Sequence, residues 1–154
     1  MRVVAGLILC AILSGCAAAP LGYRDGSAPI ASITRFEAAR FAGPWQMRAA
    51  FGAAPSGVVF TESDGAITSM QFMGEGAATT MEQTRPARFE TPQGPLWVLW
   101  VDEAYRTAVI GTPDGRLGWV IDRNATGGAD RIRAARSLLE FNGYDLAQLR
   151  ELGR

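Results

Sequence analysis

The segment Leu96–Arg123, LWVLWVDEAYRTAVIGTPDGRLGWVIDR, leaves few folds open to this chain. It holds three apolar runs, Leu96 to Asp102, Tyr105 to Gly111 and Gly118 to Arg123, joined by connectors too short for a helix. The first connector is Asp102-Glu103-Ala104. The second is Thr112-Pro113-Asp114-Gly115, where Pro presets φ at the second turn position and Asp-Gly completes the reversal. Three successive runs rich in Val, Ile, Trp and Leu predict an antiparallel meander. Apolar residues fill both alternations, so both faces are covered, one by a core and the other by a core or a helix. Edges this apolar predict closure of the sheet, because an open edge would recruit other chains.

The preceding residues extend the same pattern. Trp45–Phe51 reads as a first strand, with Trp45, Met47 and Ala49 on one face and Gln46, Arg48 and Ala50 on the other. Gly57–Glu62 is a second strand, and Ser63-Asp64-Gly65 is a hairpin turn into a third, Ala66–Met73. A fourth lies within Ala77–Glu90, where Pro86 marks a break or an exposed edge. Six or seven strands thus follow one another with no helix between them. Before them, Ser32 or Thr34 is placed to cap a short helical turn over Phe36–Phe41, a lid or plug leading into the first strand.

After Arg123 the apolar period changes from two to nearly four. Asp130–Asn142 reads as a helix, with Asp130 in the first turn and Gly143 just past the end. Ile132, Ala135, Leu138, Leu139 and Phe141 form one broad apolar face, which predicts packing against the sheet.

The N-terminus is an address. One Arg precedes an apolar run from Val3 to Leu13, followed by Leu13-Ser14-Gly15-Cys16. Residues 1–15 read as a secretory signal peptide, and the last four match a bacterial lipobox, in which Cys16 becomes the first mature residue and carries the lipid. Ala17 in place of Asp after the Cys matches the sorting pattern for the outer membrane, facing the periplasm. Residues 16–33, broken by Pro20, Gly22, Gly26 and Pro29, read as a tether, and residues 34–154 as the folded domain. With Cys10 lost and Cys16 acylated, the mature chain keeps no thiol and forms no disulfide. All 15 basic residues are Arg, balanced by 15 acidic ones, and there is no His. That composition removes the commonest general base, the commonest metal ligand and the best nucleophile. No basic cluster marks a nucleic-acid surface. No enzyme, metal site or cofactor is expected, and nothing in the sequence sets an oligomeric state.

Four features in order carry a family resemblance: Gly43-Pro44-Trp45 at the first strand, Tyr105-Arg106-Thr107-Ala108-Val109-Ile110-Gly111, Gly118-Trp119-Val120-Ile121-Asp122-Arg123, and a helix closing at Gly143-Tyr144-Asp145. Behind a lipoprotein signal, this order resembles the lipocalins, above all the bacterial outer-membrane lipoprotein lipocalins. The resemblance covers about residues 36 to 149 and implies a mainly β fold. The expected architecture is an up-and-down antiparallel barrel with one C-terminal helix packed outside. It also implies a closed end where Trp45 packs against Arg123, with Gly43 and Tyr105 in the same structural motif. The chain is short for eight full strands, and the shortage falls after Phe89. Either the strands are short, or one is absent and the barrel partly open.

A hollow barrel would be lined by alternate strand positions. The candidates are Met47, Ala49, Val59, Thr61, Met70, Phe72, Trp97, Leu99, Thr107 and Val109, with Arg48, Arg88 or Arg106 as a cation at the open end. The expected partners are a small hydrophobic ligand, a fatty acid or lysophospholipid, and the membrane through lipidated Cys16. The alternative is a structural or interaction lipoprotein whose barrel is filled.

Overall fold

The computed structural model describes residues 22–152; the signal peptide and Cys16 lie outside them. Nine strands follow one another around a single antiparallel path: β1 (Gly43–Phe51), β2 (Gly57–Ser63), β3 (Ala66–Phe72), β4 (Thr79–Thr80), β5 (Glu82–Arg85), β6 (Arg88–Thr91), β7 (Gly94–Val101), β8 (Thr107–Gly111) and β9 (Gly118–Asp122). β9 returns to pair with β1, so β4 and β5 are the two ends of the path. These ends belong to one bent strand. β4 pairs with β3, β5 pairs with β6, and the intervening Met81 donates its N–H to Thr68 O at 2.8 Å. The sheet therefore comes round into a nearly closed barrel of eight walls, and a short β10 (Leu149–Glu151) pairs with β1.

No wall is missing after Phe89. β6 has only four residues, Arg-Phe-Glu-Thr, and a tight turn at Pro92-Gln93 leads into β7. Ala87, at φ 59°, follows Pro86 in the turn between β5 and β6. Two further boundaries differ from expectation. Tyr105 lies in the connector before β8, and Arg123 lies one residue beyond β9. The short helix α1 (Ala38–Phe41) forms without a side-chain cap; Glu37, not Ser32 or Thr34, precedes it.

Helix α2 (Ala129–Phe141) packs outside, over β7, β8 and β9. Its end is a Schellman motif: Gly143 at φ 87° donates to Glu140 O, and Tyr144 donates to Leu139 O. Ala135 and Leu139 are buried, but Phe141 is 79% exposed. Two residues past Leu139 is a rotation of about 200° on the helix, which turns Phe141 to the opposite side.

The cores are two. Inside the barrel lie Trp45, Met47, Val58, Phe60, Ile67, Met70, Met81, Phe89, Leu96, Val98, Ala108, Ile110, Trp119 and Ile121, with Phe36 and Phe41 below them. Outside, under α2, lie Ala49, Phe51, Leu99, Val109, Val120, Leu139 and Tyr144.

The expected tether is much shorter than 16–33. From Gly22 onward the chain is fastened to the barrel. Tyr23 donates its N–H to Gly115 O at 2.7 Å and stacks on Phe51 at 5.2 Å between ring centres. Arg24 is buried, donating Nε to Asn142 O at 3.0 Å and Nη1 to Pro113 O at 2.6 Å. Further on, Ile33 donates to Val98 O, and Phe36 packs between Phe41 and Phe89.

Candidate ligand-binding site

The barrel has a sealed end and an open one. At the sealed end Trp45 is fully buried and donates Nε1–H to Phe41 O at 2.8 Å. The Arg123 guanidinium lies 3.7 Å from the centre of the Trp45 ring and donates to the carbonyls of Pro44, Arg40, Phe41 and Ala42 at 2.7 to 3.1 Å. One planar cation thus satisfies the carbonyls that α1 leaves unpaired at its end. Its Nε reaches Tyr105 O at 3.3 Å, and Tyr105, at φ 57°, accepts the Glu37 N–H on its hydroxyl. Gly43, at φ 93°, starts β1 beside the same guanidinium. These four residues build a floor.

Above the floor the lower barrel is solid. Phe41, Phe60, Trp45, Phe36 and Phe89 meet at centroid distances of 4.9 to 5.7 Å and leave no depth for a ligand. The open end holds a cup of about 450 Å³. Its apolar lining is Met70, Phe72, Leu96, Leu117 and Trp119, with Phe72 and Trp119 meeting edge to face at 5.6 Å. Its rim is polar: Glu75, Thr79, Thr91, Gln93 and Arg116. An apolar pocket with a few polar groups at its mouth suits an amphiphile. A larger depression, about 610 Å³, lies at the sealed end, but it is shallow, and six charged residues, among them Asp102, Arg106 and Arg131, line it beside Trp100, Ala104 and Ala134. Burying an apolar molecule there would dehydrate those charges, so the more enclosed and more apolar cup is the candidate site.

Of the residues expected to line a cavity, Met70 and Phe72 line the cup, and Met47 is buried in the solid part beneath. The others are corrected. Val59 and Thr61 point outward, because Val58 and Phe60 face in. Ala49, Leu99 and Val109 lie under α2, and Trp97 packs at the edge of that outer core. In β2, β7 and β8 both alternations carry apolar residues, so sequence parity alone does not choose the inner face; at Ala49 the cause is a bulge, where β1 slips register between Met47 and Ala49. An extra residue reverses which alternation faces the core. Leu96 and Val98 take the interior places instead.

Thr107 is buried in a polar cluster outside the barrel. It donates Oγ1–H to Asp122 Oδ2 at 2.5 Å and accepts from Arg131 Nε at 2.8 Å. None of the three arginines expected at the mouth is there. Arg106 is exposed at the sealed end, paired with Asp102 at 2.9 Å. Arg88 stacks on Trp97 at 3.8 Å and donates to Ser32 Oγ. Arg48 donates to the carbonyls of Asn124 and Gly127. The rim cation is Arg116, held by Asp114. Burial works against the Asp114 charge, yet hydrogen bonds from Thr112 and Arg116 hold its carboxyl below the usual range. Trp119 and Arg116 both sit in the Leu96–Arg123 segment, but only the barrel's closure shows that Trp119 meets Phe72 and that Arg116 lines the same cup.

Among the described residues, no cluster of three or more His, Cys, Asp or Glu forms a metal site, and no helix is long and apolar enough to cross a membrane.

No curated protein matches the chain. Among solved structures, it is similar to the major allergen Per a 4 from cockroaches, at TM-score 0.57 and 10% identity, covering 84% of this chain and 96% of that one. It is also similar to lobster apocrustacyanin A1, at TM-score 0.52 and 11% identity, and to apocrustacyanin C1, at 0.51 and 10%; each match covers 75% of this chain and 78% of the other. These likenesses show the fold. The model of the lipocalin-like domain matches residues 59–153, more than half of the sequence. The chain belongs to the lipocalin-like domain family, whose fold in general binds small hydrophobic ligands.

Proposed function

We propose that this protein is a lipid-anchored lipocalin of the bacterial envelope that binds or carries a small amphiphile, a fatty acid or lysophospholipid, in the cup at its open end. It is not an enzyme in this reading. The observation that carries it is the cup itself, an apolar floor of Met70, Phe72, Leu96, Leu117 and Trp119 under a rim bearing both Arg116 and Glu75. Each methylene buried there contributes about 0.8 kcal/mol. The cup is shallow, so part of a long chain stays at the mouth. Arg116 suits a phosphate or carboxylate, and Glu75 beside it disfavours a lone anion but suits a zwitterion. The pair therefore supports the lysophospholipid over the fatty acid. The anchor rests on Leu13-Ser14-Gly15-Cys16, and the outer-membrane address on Ala17.

The solid lower barrel supports a second reading, an interaction lipoprotein without a ligand. Titration of the soluble domain with a fluorescent fatty-acid analogue, following Trp emission, separates the two. Saturation near one equivalent, displaced by lysophospholipid, supports the first. A folded protein that binds nothing leaves the second.

A further inference from the structure

We propose that the open mouth of the barrel faces the lipid surface that anchors the chain, with the cup opening toward the headgroups. The proposal rests on acylation of Cys16, and not on the cup being occupied. Its first support is where the described chain starts. Gly22 lies against Asp114 and Gly115, so closely that no side chain would fit, and Tyr23 is bonded to Gly115 O and stacked on Phe51. Both contacts are at the mouth, since 112–117 and 52–56 are two of its four loops. Five residues separate Cys16 from Gly22. Fully extended, that stretch spans about 20 Å. β1 alone, with nine residues, runs about 30 Å along the barrel wall. Tilted about 35–45° from the axis, β1 rises about 21–25 Å, so even a fully stretched linker falls short of the sealed end and an anchor there is disfavoured.

The second support chooses between mouth-down and side-down. The four mouth loops, 52–56, 73–78, 92–93 and 112–117, carry only Glu75, Asp114 and Arg116 as charges, and the last two neutralise each other. Apart from these charges and Ser56 and Gln93, their exposed positions are Gly, Ala or Pro, such as Ala53, Ala77, Ala78 and Pro92. The outer walls expose Glu82, Arg85, Glu90 and Arg133, and the sealed end exposes Glu103 and Arg106. Charges resist the partial dehydration of a membrane surface, whereas small apolar groups do not. The third support is Phe141, the one large apolar side chain that is exposed among the described residues. α2 starts near the sealed end, where Arg131 reaches Thr107 and Asp122, and finishes near the mouth, where Tyr144 bonds Thr112 and Leu117. Phe141 therefore stands at the mouth end, where an aromatic ring can enter the interface. A ligand leaving the bilayer would then reach the cup without crossing bulk water.

The mature full chain keeps only Cys16, so single labels are easily placed. Ala53→Cys and Ala77→Cys at the mouth, and Ser63→Cys at the sealed end, would each carry a fluorophore. The lipidated proteins would be reconstituted into phosphatidylethanolamine–phosphatidylglycerol vesicles containing a headgroup nitroxide lipid. Quenching at 53 and 77 is expected to exceed that at 63 severalfold. Equal quenching at all three sites, or stronger quenching at 63, overturns the proposal, as does an intact mass showing Cys16 without lipid. Two mouth sites guard against one variant misfolding. The soluble-domain titration reads the cup independently, so either result can fail while the other stands.

Discussion

Arg123 lies over Trp45 at 3.7 Å while its guanidinium serves five backbone carbonyls drawn from the α1 end, the start of β1 and the turn before β8. Residues 40–44 and Tyr105, distant in sequence, thus meet on the Arg123 side chain, and the barrel floor depends on it. Charge-assisted hydrogen bonds contribute about 1.5–3 kcal/mol each when a partner is left unpaired, and a cation–π contact about 0.5–2. Water can reach part of the site and re-pair some carbonyls. Arg123→Ala is therefore expected to lower unfolding stability by about 3 kcal/mol in urea titrations. Arg123→Lys keeps the charge but not the planar fork, and should recover less than half of that loss.

The division between inner and outer cores gives a sharper test, because Leu99 in β7 and Leu117 in the loop before β9 should behave oppositely. Leu99→Ala removes packing under α2 and is expected to cost about 2–4 kcal/mol, with ligand affinity per folded molecule unchanged. Leu117→Trp fills the cup from a half-buried loop position and should abolish binding at a stability cost of about 1 kcal/mol. Denaturation and ligand titration on the same samples check both. If Leu99→Ala changes affinity and Leu117→Trp does not, the faces are assigned wrongly.

Why that division escaped the sequence is physical. The meander, its Asp-Gly turns, the helix and the Gly143 stop are local features, and all are legible in single stretches. Inside and outside are not, because β7 is apolar at both alternations, and a bulge at Leu99 shifts the phase again before Val101. β6 escaped because a four-residue strand reading Arg-Phe-Glu-Thr has one core residue and no period to detect. The fold of 22–33 escaped for another reason. A Pro- and Gly-broken stretch looks like a tether, and only the buried Arg24 with its carbonyl partners shows otherwise. Arg116 is a turn residue, and no strand parity places it in the sequence.

Asp102 offers a test by pH. Burial opposes its charge, but the N–H groups of Thr107 and Arg106 and the Arg106 guanidinium together hold its carboxyl below the ordinary value of 3.8. A lowered carboxylate pKa contributes stability above the unfolded value and loses it as pH falls through the folded one. Asp102→Asn is expected to destabilise the protein at neutral pH. The difference from wild type should close as pH falls below 3.8, because both side chains are then neutral. Thermal melts from pH 7 to pH 2 would show the two curves converging; parallel curves would mean that Asp102 acts by shape alone.

At the rim, Arg116→Ala should weaken a phosphate-bearing ligand about tenfold, the equivalent of about 1.4 kcal/mol, and leave a neutral long-chain alcohol unaffected. Part of the Arg116 charge is already spent on Asp114, so a larger loss is not expected. Glu75→Gln separates the headgroups: it should strengthen a fatty acid and weaken a lysophospholipid with an ammonium group. Competition titrations with the three ligands read out all of these effects. A uniform change for every ligand would place both residues in the cup's shape, not its selectivity.

Arg24 joins the N-terminal segment to two distant parts of the fold, through Pro113 O in the mouth turn and Asn142 O at the end of α2. It is buried and faces carbonyls, so its removal leaves those oxygens without donors. Arg24→Ala is expected to cost about 2–3 kcal/mol and to release the segment before the barrel unfolds. Hydrogen exchange should show this at Tyr23 N–H and Asp25 N–H, bonded to Gly115 O and Gly143 O, and at Asp145 N–H, bonded to Tyr23 O. Those amides should exchange faster while the β8–β9 ladder keeps its protection. The same release lengthens the effective tether from five residues to well beyond ten, enough to free the barrel's orientation. In reconstituted vesicles, the quenching contrast between Ala53→Cys and Ser63→Cys should then shrink. If exchange speeds up and the contrast persists, the rim loops and Phe141 hold the mouth to the surface by themselves.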